Sequence, residues 1–259
     1  TTTITTTTTT TPNDHNNKHH TVVVQRPDDI VRWRYEHLPV CGMEFEITDA
    51  IRSNDVTILC SETGSGKSTQ VPQFLYEMGL TGGGGDDNKN KNNNKNNKKN
   101  KNQNKKIAIT QPRRVAALTT AQRVSYEMGV CLKQPSNQIN NLVAYQTRYE
   151  TSGLGPDTSL LFMTDGILLQ TLQQDLLLRE YSAIVLDEAH ERNLNTDVLL
   201  GLLSKTIQLR KEAAAQQQSD NNNHNNNIQP LKVVIMSATL RVNDFTTLFS
   251  NPAVVRVPG

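Results

Sequence analysis

The sequence predicts an α/β domain in which a mainly parallel sheet is covered by helices on both faces. Short, continuous apolar runs rich in β-branched residues alternate along the chain with segments of helical spacing. Continuous apolar runs are typical of strands that are buried on both faces. Polar and charged residues follow one predicted strand after another, at the carboxyl ends where doubly wound sheets bind ligands.

The predicted elements alternate in the order that a doubly wound sheet requires. The strand segments are 56–60, 107–110, 142–147, 160–163, 183–186 and 233–236. The helical segments are 67–79, 114–128, 165–178, 195–212 and 243–250.

Three low-complexity tracts interrupt this pattern. Residues 1–21 are rich in Thr, Asn and His, residues 81–106 in Gly, Lys and Asn, and residues 213–229 in Ala, Gln and Asn. Such tracts bury too little apolar surface to offset the entropy cost of ordering them. We expect a disordered tail at 1–21, and one domain over 22–259 with disordered insertions at about 81–106 and 213–229. Residues 22–45 could belong to the fold or to an upstream linker.

The net charge of +2 is dominated by one tract, since residues 88–106 hold eight lysines and no acidic residue. Removing those lysines leaves a net charge of −6 on the rest of the chain. Overall charge therefore gives no argument for nucleic-acid binding. The lysine tract could contact RNA nonspecifically, although a solvated, self-repelling loop is the favoured interpretation.

The three cysteines, Cys41, Cys60 and Cys131, are widely spaced and form no C-x-x-C pair. This spacing disfavours a disulfide framework and a zinc site. The chain does not begin like a signal peptide, and no apolar run approaches the roughly 18 residues of a membrane span. We expect a soluble, intracellular protein without a membrane partner.

The stretch SETGSGKST at 61–69 follows the first buried strand of the predicted domain and nearly matches the phosphate-loop pattern G-x-x-x-x-G-K-[ST]. A loop that runs from a strand into a helix can point backbone N–H groups at phosphates. Lys67 can then reach the β- and γ-phosphates, and the Ser68 hydroxyl can bind Mg²⁺. The alternative is an ordinary turn rich in Gly and Ser. The candidate nucleotide-binding residues of this loop are Ser61, Glu62, Thr63, Gly64, Ser65, Gly66, Lys67, Ser68 and Thr69.

A pair of carboxylates, Asp187 and Glu188, directly follows another buried strand. Asp187 could hold Mg²⁺, and Glu188 could orient an attacking water. The alternative is a helix that begins with acidic residues near its positive end, which is common. A phosphate loop upstream favours the metal–nucleotide interpretation.

Three further motifs carry weaker signals. Ser237 and Thr239 follow a strand and could simply cap a helix. Arg113 and Arg114 could grip phosphates, although paired arginines are usually solvated. Thr164 offers a hydroxyl at a predicted helix start, where it could contact a nucleic-acid backbone.

Five stretches in order, SETGSGKST, TQPRRVAA, FMTDGILL, LDEAHERN and MSAT, resemble the DEAH-box ATP-dependent RNA helicases, specifically their first RecA-like domain. The resemblance covers roughly residues 38–80, 107–212 and 230–257. It implies a RecA-like P-loop NTPase fold, ATP and Mg²⁺ as cofactors, and RNA as the substrate.

The resemblance also implies residue roles. Lys67 would bind the phosphates, and Ser68 and Asp187 would hold magnesium, with Glu188 beside them orienting the water. Arg123, in AQRV, matches an arginine that stacks on adenine in relatives. His190, Ser237 and Thr239 would couple hydrolysis to movement between domains. Arg113, Arg114 and Thr164 would contact the RNA backbone.

Four other stretches indicate one branch of this family. QVPQFLYEMG, AYQTRYE, NTDVLLGLLSK and SATLRVNDF look like the branch that acts in nucleolar small-subunit ribosome assembly. This branch implies a nuclear, nucleolar protein that remodels pre-ribosomal RNA and releases a small nucleolar RNA, with an activating assembly factor as a partner. The alternatives are a splicing-type or general DEAH-box helicase, and an assembly scaffold whose ATPase has decayed.

The sequence departs from the family pattern in two ways. Ser61 stands where the phosphate loop usually has its first glycine, although related loops accept another small residue there. The Q-R-x-G-R-A-G-R-type motif of the second RecA-like domain, which supplies the arginine finger, is not in this sequence. We therefore expect half of a motor, with weak nucleotide binding and little hydrolysis unless the second domain is present.

Overall fold

The computed structural model describes residues 4–9, 19–82, 104–130, 132, 142–219, 228–238 and 243–258. The strands are β1 Ile4–Thr9, β2 His19–Val24, β3 Val56–Cys60, β4 Lys106–Gln111, β5 Val143–Gln146, β6 Thr151–Ser152, β7 Leu160–Thr164, β8 Tyr181–Leu186, β9 Lys232–Ser237 and β10 Ala253–Arg256. The helices are α1 Asp28–His37, α2 Pro39–Gly42, α3 Glu44–Ser53, α4 Lys67–Glu77, α5 Arg114–Glu127, α6 Asp165–Gln174, α7 Leu194–Ser219 and α8 Asn243–Thr246, with a 3₁₀ turn at Ala189–Glu191.

An eight-stranded sheet in the order β10-β3-β9-β8-β4-β7-β5-β6 forms the centre of the fold. Every neighbouring pair is parallel except β5 and β6. The predicted α/β class with a mainly parallel sheet is confirmed, and all six predicted strands lie in this sheet. Two strands of this sheet were not predicted: β6 is a two-residue pairing, and β10 contains the short apolar run of Ala253–Arg256.

Two apolar layers cover the sheet, one on each face. Alternate residues of a strand point to opposite faces, so Leu59 packs with α3, α4 and α5, whereas Ile58 packs with α6, α7 and α8. Fully burying side chains such as Leu, Ile and Phe stabilises a fold by about 1.5–3 kcal/mol each. These layers fix the strand ends, and with them the loops that carry the motifs.

The segment 22–45 belongs to the fold. Val22 and Val24 lie in the apolar layer on the α4 side of the sheet. Arg34 of α1 is buried and donates a hydrogen bond to Gln70 of α4. The guanidinium of Arg26 also pairs with α4, through Glu77. Residues of 22–45 therefore pack with the domain rather than forming a linker upstream of it.

The low-complexity tracts differ in part from the expectation of disorder. Residues Ile4–Thr9 pair antiparallel with His19–Val24, because the β-branched threonines favour extended backbone. Helix α7 continues to Ser219, since the alanines and glutamines that begin the 213–229 tract are adequate helix formers.

The rest of these tracts lies mostly outside the described residues, at 1–3, 10–18, 83–103 and 220–227. Among the described helices, none combines the length and apolar character needed to cross a bilayer.

Candidate functional site

The loop 61–66 connects β3 to α4 at the carboxyl edge of the sheet. Gly64 and Gly66 have φ of 88° and 91°, a left-handed conformation that glycine adopts without strain. The Ser65 hydroxyl donates to the Ser61 hydroxyl at 2.8 Å, and both residues are buried. Ser61 therefore supports the loop from inside through a hydrogen bond that glycine could not accept.

The outer residues of this loop, Glu62, Thr63 and Gly64, are exposed to solvent. At the start of α4, the Thr69 hydroxyl donates to the carbonyl of Gly66 at 3.2 Å. The outer residues of the loop are therefore open to solvent, and the first turn of α4 is hydrogen-bonded to the last residue of the loop.

Lys67 is the first residue of α4, and only 3% of its surface is exposed. Its Nζ lies 3.9 Å from Oε1 of Glu188, which follows β8. The Ser68 hydroxyl hydrogen-bonds to the carboxylate of Asp187. We call Lys67, Ser68, Asp187 and Glu188 the phosphate-loop cluster, because the fold brings these two distant motifs into contact.

Asp187 is 2% exposed and sits where β8 ends, with its N–H donating to the Thr110 carbonyl at 3.2 Å. Its carboxylate accepts hydrogen bonds from the Glu188 N–H at 2.9 Å and from Nε2 of Gln111. Burial raises the pKa of Asp187 to about 6, the hydrogen bond from Ser68 lowers it, and the charge of Glu188 raises it further. A cation beside this carboxylate would relieve the cost of its buried charge.

Glu188 has φ of 51°, a strained conformation for a residue with a side chain. Its carboxylate lies between Lys67 and Nδ1 of His190, which is 3.3 Å from Oε2. The same Nδ1 accepts the N–H of Ala238 at 3.2 Å. His190 thus joins the acidic motif to the end of β9.

Ser237 is buried at the end of β9, and its carbonyl accepts the N–H of Ser61 at 3.1 Å. The SAT motif therefore contacts the phosphate loop through Ser237 and the acidic motif through Ala238. Thr239, predicted to act with Ser237, lies outside the described residues.

The donor set of the phosphate-loop cluster fits a nucleotide-bound magnesium ion. Within the described part of the chain, no three His, Cys, Asp or Glu side chains converge as a metal cage. Mg²⁺ is usually held through one or two carboxylates together with substrate phosphates and water. Asp187 and the Ser68 hydroxyl supply such ligands beside the loop that would carry the phosphates.

A groove of about 950 Å³ lies where β4 and β7 run into α5 and α6. Arg114 and Thr164 line it, whereas Arg113 projects to solvent with 75% of its side chain exposed and pairs with Glu191 at 3.3 Å. The buried Asp165 in its lining accepts hydrogen bonds from Asn193 at 3.2 Å and from Thr196 of α7 at 2.6 Å. Of the three predicted RNA-contacting residues, Arg114 and Thr164 therefore line one groove, and Arg113 does not.

The groove also contains polar residues that were not predicted, among them Arg148, Gln170, Asn193 and Asn195. Arg148 shortly follows β5, so the rule that chemistry lies at strand ends could have found it. Asn193 comes from the turn before α7 and Asn195 from the first turn of α7, and periodicity does not reveal that either one lines a groove.

Arg123 lies on α5, away from the phosphate-loop cluster. Its Nε donates to Oε1 of Glu127 at 2.6 Å, and its guanidinium carbon lies 4.8 Å from the ring centroid of Trp33. Glu127 accepts a hydrogen bond from Gln70, in the first turn of α4. The structure therefore connects Arg123 to the phosphate-loop helix through other side chains rather than by direct contact.

Comparison with known proteins places this site in a family. The chain is 43% identical over 242 residues to the ATP-dependent RNA helicase DEAH13 of Arabidopsis thaliana, covering 90% of this chain and 18% of that protein. It is 43% identical over 227 residues to the probable ATP-dependent RNA helicase DHR1 of Saccharomyces cerevisiae, covering 86% of this chain and 15% of DHR1. The probable ATP-dependent RNA helicase DHX37 of Homo sapiens is 41% identical over 218 residues, covering 83% of this chain and 15% of DHX37.

The chain thus spans less than one fifth of the length of these relatives, since 15–18% of each is matched. The match includes the phosphate loop, the acidic pair and the groove, because the profile of the DEAD/DEAH box helicases aligns with residues 45–247. With its phosphate loop and its Asp-Glu-Ala-His motif in contact at one edge of a parallel sheet, the chain belongs to the DEAD/DEAH box helicase family.

Proposed function

We propose that this chain is the ATP-binding half of an ATP-dependent RNA helicase. One observation carries the proposal: Lys67 and Ser68 contact Glu188 and Asp187, although some 120 residues separate the two motifs. A lysine, a hydroxyl and two carboxylates at the end of a phosphate loop are the groups that phosphoryl transfer requires.

In this proposal each side chain has one task. Lys67 leaves its contact with Glu188 to pair with the β- and γ-phosphates. Ser68 and Asp187 would hold Mg²⁺, with Glu188 beside them, and a bound ion would neutralise charge that develops on the phosphate oxygens. Glu188, which lies beside His190, orients the attacking water and accepts its proton.

We assign the coupling of hydrolysis to movement to His190, Ser237 and Thr239. His190 contacts both the Glu188 carboxylate and the backbone of Ala238. A change in the charge around Glu188 would therefore act on the segment that leaves β9. That segment would pass the change to a second RecA-like domain of a longer protein.

The groove is the proposed RNA surface. Arg113, Arg114 and Thr164 would contact the sugar–phosphate backbone, which positions a strand without reading its sequence. Arg123 would stack on the adenine of the bound nucleotide.

Pre-ribosomal RNA in the nucleolus is the proposed target, with a role in small-subunit assembly and an activating assembly factor as a partner. The support is the resemblance of QVPQFLYEMG, AYQTRYE, NTDVLLGLLSK and SATLRVNDF to that branch. Sequencing the RNA that is crosslinked to the protein in cells tests this target. Enrichment of spliceosomal RNA instead would favour the splicing-type branch.

The half-motor proposal is tested by ATP turnover with single-stranded RNA, measured on this chain and on a longer protein that contains a second RecA-like domain. We expect little turnover by this chain, because an arginine finger and the opposite wall of the cleft come from the second domain. Equal turnover by the two proteins would contradict the proposal.

A further inference from the structure

Arg123 lies at the centre of contacts that join three helices. Its Nε donates to Glu127, one turn further along α5, and its guanidinium lies over the ring of Trp33 on α1. Glu127 in turn accepts a hydrogen bond from Gln70 on α4. We call Trp33, Gln70, Arg123 and Glu127 the Arg123 cluster.

The carboxylate of Glu127 fixes the position of Arg123. Glu127 is 1% exposed, and its Oε2 accepts hydrogen bonds from Nε2 of Gln70 at 2.8 Å and from Nε2 of Gln73 at 2.7 Å. Oε1 accepts from Arg123 at 2.6 Å. A buried carboxylate that loses its cation is costly, so the pair holds the Arg123 guanidinium in one orientation.

The same carboxylate connects Arg123 to the phosphate loop. Gln70 lies three residues after Lys67, and its Nε2 also donates to the Thr69 hydroxyl at 2.9 Å. Its Oε1 accepts a hydrogen bond from the buried Arg34 of α1. The groups that hold Arg123 are therefore tied to the helix that begins with Lys67.

Trp33 supplies the other contact. The centroid of its ring lies 4.8 Å from the guanidinium carbon of Arg123, within the range of a cation–π interaction. The Arg123 side chain remains 44% exposed, so it keeps surface that a ligand can reach. A planar guanidinium stacks on aromatic faces and can present its open surface to a nucleobase.

We propose that Trp33 and Glu127 are positioning residues that hold Arg123 as a preformed platform for the nucleobase of a nucleotide whose phosphates lie at Lys67. This inference rests on the proposed function, because it needs a nucleotide at the phosphate loop. It adds that α1 takes part in nucleotide affinity although none of its residues lies in the phosphate loop.

Tyr126 provides a matched control for Trp33. Its ring centroid is 5.9 Å from the Arg123 guanidinium carbon, and its side chain is also exposed. It lies on α5 itself, so removing it leaves the contact between α1 and α5 in place.

The test compares two probes that share phosphates but not a base: Mg·ADP and Mg·tripolyphosphate, each titrated into this chain. We expect Trp33→Ala to weaken Mg·ADP binding about 5- to 20-fold, the loss of roughly one stacking contact, and to leave tripolyphosphate binding unchanged. Trp33→Phe keeps an aromatic ring and should retain most of the Mg·ADP affinity. Glu127→Gln should weaken Mg·ADP binding as Trp33→Ala does. Tyr126→Ala should change Mg·ADP affinity by less than about 2-fold.

Two kinds of failure are separable in this design. If Trp33→Ala weakens both probes equally, or neither, the positioning role is wrong. If Lys67→Ala leaves the affinity for both probes unchanged, or if the unmodified chain binds neither probe, the proposed phosphate site is wrong. The inference about Arg123 then fails as well. The inference is supported if Trp33→Ala weakens the binding of Mg·ADP alone and Lys67→Ala weakens the binding of both probes.

Discussion

The phosphate-loop cluster and the groove lie at the same edge of one sheet but are built in different ways. In the cluster, Lys67 and Asp187 are almost fully buried and are held by contacts with Glu188 and Ser68. At the groove, Arg114 and its sequence neighbour Arg113 are exposed, and they contact the surface residues Tyr149 and Glu191, respectively.

This difference follows from the two proposed tasks. Phosphoryl transfer needs charges that are fixed before the reaction in a site with little water. Backbone contact with RNA needs positive charge along an open path and tolerates exchange of the individual contacts. Single substitutions should therefore have large effects in the cluster and small effects in the groove.

The largest effect is expected for Lys67→Ala. Removing the buried ammonium group takes away the charge that faces the phosphates, so Mg·ADP affinity should fall by more than about 100-fold. Affinity for single-stranded RNA, measured by fluorescence anisotropy, should change less than about 2-fold. A matching loss of RNA affinity would mean that cluster and groove do not act separately.

Glu188→Gln in the longer protein should lower kcat for ATP by about 100-fold or more, because glutamine cannot accept the proton of the water. The substitution keeps the size of the side chain, so Mg·ADP affinity should stay within about 3-fold. Steady-state kinetics and equilibrium titration measure the two effects. Unchanged function in cells would instead indicate a scaffold whose ATPase is not used.

Asp187 should make the stability of the metal-free chain depend on pH. Burial raises its pKa from 3.8 to about 6, so the folded state binds more protons than the unfolded state between these values. The free energy of unfolding should therefore fall by about 1–3 kcal/mol as the pH rises from about 4 to 6.5. Denaturant unfolding at several pH values measures this dependence. In Asp187→Asn the free energy of unfolding should fall less over the same pH range, because asparagine does not titrate. An identical slope in both proteins would contradict the raised pKa.

Arg114→Ala should produce the smallest effect. Loss of one phosphate contact should weaken single-stranded RNA binding about 3- to 10-fold and lower the magnitude of the salt-dependence slope by about one. The control is Arg179→Ala, since Arg179 is exposed and lies outside the groove. An equal loss in the control would show that general positive charge, rather than the groove, binds the RNA.

The sheet could be predicted from the sequence because its strands are continuous apolar runs that need no tertiary information. Contact between Lys67 and Glu188 followed from topology, since parallel strands bring their carboxyl ends to one edge. The side-chain hydrogen bonds that support the phosphate loop could not be predicted in this way. The hydrogen bond between Ser65 and Ser61 depends on the conformation of the loop.

The N-terminal contacts were missed for a related reason. No motif or periodicity singles out Arg34 and Gln70, because only packing buries them against each other. Composition alone predicted disorder for the threonines of β1 and for the glutamines at the end of α7. The local propensity of threonine for strands and of glutamine for helices favours the structure that is observed.

The central claim is that residues of two distant motifs bind one magnesium–nucleotide complex. It is tested most directly by a double-mutant cycle on Mg²⁺-dependent ADP binding, with Ser68→Ala, Asp187→Asn and the double variant. Because both side chains would hold the same ion, the double variant should lose little more affinity than Asp187→Asn alone, a coupling of about 1 kcal/mol or more. Losses that simply multiply would show that the two residues act independently and would contradict a shared site.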